Sequence, residues 1–102
     1  MVDEALAQFQ QAQKGHSVKN KAVLYTGRCL KVKGRYDMAI EQYKLLVDKM
    51  LVMDKEKFEV LYELATAYEL NNDKDHALEC YKEIYQHDIT YKDVEDKINS
   101  FY

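Results

Sequence analysis

Gly34-Arg35-Tyr36-Asp37-Met38-Ala39-Ile40-Glu41-Gln42-Tyr43 decides how this chain folds. The stretch joins a glycine helix stop to a new helix, whose inward positions begin with Ala39 and, four residues on, Tyr43. The same alanine-aromatic step occurs as Ala5 with Phe9 and as Ala77 with Tyr81. The first two alanines lie 34 residues apart and the next two 38. A self-similar period of about 34 residues marks an array of helix hairpins. Such arrays present surfaces to partners, so the pattern bears on function as well as on fold.

Composition supports an all-α chain. Among 102 residues there is no proline and there are three glycines, so little interrupts helices. Val and Ile are scattered, and no run alternates apolar and polar residues over strand length. Hydrophobic residues make up 47% and charged residues 32%, the balance of a globular domain and not of a disordered chain. A net charge of -3 argues against a general nucleic-acid binder. No apolar run reaches the roughly 18 residues of a membrane span, so no membrane partner is expected. Asp3 and Glu4 stand where a secretory signal carries basic residues. Cys29 and Cys80 lie in different units and outside any CxxC, so both are expected as reduced thiols in a cytoplasmic protein.

Periodicity predicts about six helices with short polar turns, which make neighbours antiparallel. Ala5, Phe9 and Ala12 line a first helix over residues 2–14, closed by Gly15. Ser17 is placed to cap a second helix over residues 18–32, with Val23, Gly27 and Leu30 inward. The third starts near Tyr36 and is read as far as Met53. Asp54 to Lys57 is a polar break before a fourth helix with Leu61, Leu64, Ala65 and Tyr68 inward. Asn71-Asn72-Asp73 turns the chain into a fifth helix with Ala77, Tyr81 and Ile84. Thr90 and Asp93 fit a capping box for a last helix whose apolar side is Val94, Ile98 and Phe101. The chain therefore divides into a half-unit at 1–15, units at 18–53 and 56–88, and a capping helix at 90–102, all within a single domain of 1–102. The seam of each hairpin needs small side chains, which pairs Gly27 with Ala39 and Ala65 with Ala77.

These residues resemble the tetratricopeptide repeat. Its slots read Gly27, Leu30, Ala39 and Tyr43 in the first unit, and Leu64-Ala65, Tyr68, Ala77 and Tyr81 in the second. Val23 and Leu61 stand in place of the leading tryptophan, and Leu51 and Ile89 in place of the closing proline. The second period is four residues too long, an excess placed between about Met50 and Lys57 as a longer helix or a loop. The resemblance implies a right-handed superhelix, an α-solenoid of antiparallel hairpins, acting as a scaffold or adaptor without catalysis or cofactor. The ending ITYKDVEDKINSFY resembles the C-terminal caps of bacterial repeat proteins, which implies a piece of a longer bacterial chain.

In that family the first helix of each hairpin lines the concave groove. Here Lys21, Leu24, Arg28 and Lys31 share one helix face, and Glu59, Tyr62, Thr66 and Glu69 share another. They are the expected protein- or peptide-binding residues, basic at one end, acidic at the other. Four of these positions, Leu24, Arg28, Tyr62 and Thr66, fall where one subgroup clamps a terminal carboxylate with lysines and asparagines, so that clamp is not met. The alternative is a structural module that packs on its parent chain or forms a homo-oligomer through its N-terminal helix.

Other constellations carry less. His76, Cys80, Glu83 and His87 share a helix face, but the stripe spans about 16 Å, too far for one zinc sphere. Asn71, Asp73 and Asp75 begin like a calcium loop, yet His76 replaces its glycine and Lys82 its closing glutamate. No metal site is expected. Neither a phosphate-binding glycine loop nor GxSxG nor HExxH is present, and no catalytic residue is assigned.

Overall fold

The computed structural model describes residues 16–102, with five helices and no strand among them. They are α1 (His16–Val32), α2 (Tyr36–Lys49), α3 (Lys55–Leu70), α4 (Lys74–His87) and α5 (Val94–Ser100). The expected helix over 2–14, and with it any oligomer contact through it, lies outside the described residues. Successive helices pack against one another, and α1 also touches α3.

The chain turns twice by the same device. Gly34, at φ +79°, closes α1: its N–H donates to Lys31 O, and the Arg35 N–H donates to Leu30 O at 2.8 Å. That is a Schellman end, which needs a left-handed residue and so favours glycine. Asn72, at φ 62°, repeats it after α3, with its N–H on Glu69 O and the Asp73 N–H on Tyr68 O at 2.8 Å. Asparagine tolerates that conformation better than other side chains do. The landmarks then recur at one interval: Gly34 and Asn72, Ala39 and Ala77, Tyr43 and Tyr81, and both ends of α2 and α4 are each 38 residues apart. The two hairpins share one spacing of turn, seam alanine and seam tyrosine.

Several expected boundaries move. Ser17 lies inside α1, which already begins at His16, so it is not the cap. Helix α2 stops at Lys49, not Met53, and the long period is absorbed by the loop at 50–54. Lys55 to Lys57 open α3 instead of separating it, because Asp54 accepts the Lys57 N–H at 2.9 Å as N-cap. The capping box does not form. Asp88 accepts both the N–H and the hydroxyl of Thr90, at 3.0 and 2.7 Å, so the last helix starts only at Val94.

The core runs from Leu24 through Ala39, Tyr43, Leu61, Ala65, Ala77 and Tyr81 to Val94. Ala39, Ala65 and Ala77 are completely buried, as their place in the seams requires. Gly27 has a different partner from the one expected: it makes room for the Tyr43 ring, not for Ala39. Val60, Ile84 and Val94 are also fully buried, each contributing about 1.5–3 kcal/mol by leaving water.

Candidate functional site

Helices α1 and α3 run side by side in the same direction. Asn20 Nδ2 donates to Glu56 Oε1 at 2.7 Å, Arg28 Nε to Glu63 Oε1 at 2.6 Å, and Lys31 Nζ to Thr66 Oγ1 at 2.9 Å. The partners are 36, 35 and 35 residues apart, and a constant offset is what parallel neighbours produce. Of the residues expected on the two faces, these bonds join Lys31 to Thr66 directly, along an α1–α3 surface.

Glu63 is the hub of that surface. It holds Lys31 Nζ on its second oxygen at 2.6 Å, and its side chain is 15% exposed. Burial pushes its pKa up, but the bonds from Lys31 and Arg28 outweigh burial and hold the carboxyl below its ordinary value. The bond to Glu63 in turn raises the Arg28 guanidinium. Thr66 donates its hydroxyl to Glu63 O at 2.8 Å while accepting from Lys31. Arg28, Lys31 and Thr66 are thus engaged within the chain.

The α3–α5 end is built from aromatic rings. Tyr62 meets Tyr81 edge-on at 5.8 Å and Tyr91 at 6.2 Å, with Lys92 Nζ 4.7 Å above its ring. Its hydroxyl donates to Asp93 Oδ1 at 2.5 Å, and burial with that carboxylate raises its pKa. Glu69 accepts from the Tyr81 hydroxyl and pairs with Lys97 Nζ at 3.4 Å. Tyr81 is completely buried and its pKa is raised, first by burial and then by Glu69.

At the other end, Lys21, Leu24 and Glu59 line an open cleft of about 300 Å³ with Lys55 and Glu56. Leu24 is 3% exposed and forms its floor, whereas Lys21 is exposed. Sequence reasoning missed Glu63, Asp93 and Lys97. Adding the 35-residue offset to Arg28 would have found Glu63. Asp93 was read only as a capping residue and Lys97 gave no signal, because they arrive from the turn before α5 and from α5 itself.

The zinc-spaced stripe is dispersed. His76 stacks on Tyr68 at 5.1 Å and bonds Asp73 at 2.7 Å, while Cys80 is buried and its thiol is pushed up to about 12, chiefly by burial. Among the described residues no three His, Cys, Asp or Glu side chains converge as metal ligands. None of the described helices is long and apolar enough to cross a membrane. The α1–α3 surface can therefore offer a fixed pattern of charge and hydroxyls, with Glu63 below and Arg28 above their ordinary pKa values. No family model, curated protein or solved structure matches the chain.

Proposed function

We propose that this chain is an interaction module: tetratricopeptide-like hairpins stacked as a right-handed superhelix, binding a protein or peptide segment across α1 and α3 without catalysis. The observation that carries this reading is the 38-residue recurrence of turn, seam alanine and seam tyrosine. Recurrence of one packing unit is how an extended surface is built from a short sequence. Parallel α1 and α3 give that surface two equivalent walls. Arg28, Lys31, Thr66, Tyr62 and Glu69 shape it, and Lys21 and Glu59 stand at its open end.

The test is affinity capture with mass spectrometry, comparing the parent with a Lys21→Glu, Glu59→Lys variant. Neither side chain is part of an ion pair among the described residues, so the fold should survive, as circular dichroism will verify. A partner held by the parent and lost by the variant supports the groove. A partner held equally by both removes it.

A further inference from the structure

We propose that the opposite flank of α1 carries a second docking cleft, for an acidic peptide segment with an apolar anchor of one or two side chains. The cleft lies between α1 and α2, encloses about 460 Å³, and is lined by Lys19, Asn20, Val23, Leu46, Lys49 and Met50. Its size suits one or two side chains within the usual range of ligand clefts. Val23, Leu46 and Met50 make an apolar floor, and methionine adapts its shape to what it meets. Lys19 lines the cleft from α1 and Lys49 from α2, both exposed. Neither ammonium makes a salt bridge among the described residues, and no acidic side chain lines the cleft. Glu56 accepts from the lining Asn20 at 2.7 Å.

The charge balance sets this flank apart from the α1–α3 face. There Arg28 and Lys31 are paired with Glu63, and the cleft holding Lys21 and Lys55 is also lined by Glu56 and Glu59. Here Lys19 and Lys49, neither in a salt bridge among the described residues, line a cleft with an apolar floor, in a chain whose net charge is -3. Complementarity then selects carboxylates on both sides of an apolar side chain. The apolar surface continues beyond the rim, where Leu51 is 93% and Val52 68% exposed. That continuation fits an extended segment and not a compact small molecule. A flat anionic bilayer would reach Leu51 and Val52 but not the recessed floor, which is why a peptide is the occupant.

The experiment is fluorescence polarisation with a labelled twelve-residue probe, a Leu-Phe pair flanked by aspartates and glutamates. The parent should bind it and release it as salt rises. A Lys19→Glu, Lys49→Glu variant should bind at least about tenfold more weakly. A probe with alanines for the Leu-Phe pair should lose binding too. The Lys21→Glu, Glu59→Lys variant should bind like the parent, because its changes lie on the other flank. No binding by the folded parent, or equal binding by the Lys19→Glu, Lys49→Glu variant, overturns the proposal. So does loss confined to the Lys21→Glu, Glu59→Lys variant. Co-sedimentation with phosphatidylserine vesicles, without probe binding, would assign this end to a membrane and also overturn it. Affinity capture at the α1–α3 face reads a different surface, so either idea can fail alone.

Discussion

Gly27 is held against the ring of Tyr43: a Cβ on Gly27 would overlap the ring and lie 2.5 Å from its hydroxyl oxygen. Tyr43 is completely buried, so its ring has nowhere to retreat. Gly27→Ala gains up to about 1 kcal/mol of helix propensity but overpacks the seam by about 1–3 kcal/mol. A net loss of stability is expected in urea melts. Ala39→Leu and Ala77→Leu fill seams of the same kind and should each lower the melting temperature. An unchanged melting temperature in either would refute the seam.

Tyr43 and Tyr81 occupy equivalent places but should answer the same substitution differently. The buried hydroxyl of Tyr43 has no hydrogen-bond partner among the described residues, whereas that of Tyr81 donates to Glu69. Tyr43→Phe removes an unsatisfied group and is expected to be neutral or stabilising. Tyr81→Phe breaks a bond to a carboxylate and should cost about 1–2 kcal/mol. Paired thermal melts check both, and equal losses would contradict the assignment.

Glu63→Gln leaves Arg28 and Lys31 without their shared carboxylate. Arg28 is 52% exposed, so solvent screens part of the interaction, and a loss of about 1–2 kcal/mol is expected at pH 7. The carboxyl's pKa is lower in the folded chain than unfolded, so folding favours the charged form. Its contribution is complete above the unfolded value of about 4.3 and falls away as pH drops through the folded value. Urea melts at pH 7 and pH 3 should show the difference between parent and variant shrinking in acid.

The two thiols should separate kinetically. Cys29 is half-exposed, while Cys80 is buried with its thiol pushed up to about 12. At pH 8 an aromatic disulfide reagent is expected to modify Cys29 in the native protein and Cys80 only as the hairpin opens. Rapid reaction of both in buffer would place Cys80 outside the core.

Much of the backbone was legible because local rules and packing agree. Gly34 and Asn72 are turn residues by conformation, and Ala39 and Ala77 are seam residues by size, so sequence and structure coincide there. Boundaries failed where two local partners compete. Thr90 reads as a cap until Asp88, two residues earlier, takes its hydroxyl. The eight groove residues were harder to judge from helix periodicity. A face shared by Leu24 and Arg28 can point to solvent or to a neighbouring helix, and only the packing of α3 buries the first and pairs the second. Glu63 stayed hidden for the same reason: its role exists only across the 35 residues separating it from Arg28.

The sequence of helix contacts also sets how the chain reaches its fold. Apart from α1 with α3, and the Lys97–Glu69 side-chain pair between α5 and α3, each helix packs on its neighbour along the chain among the described residues. Few distant segments need to find one another, so loop-closure entropy opposes folding only weakly. Chains with such local contacts fold in microseconds to milliseconds. The charged bridges from α1 to α3 close the longest loop, so they are expected to form last and to slow unfolding more than they speed folding.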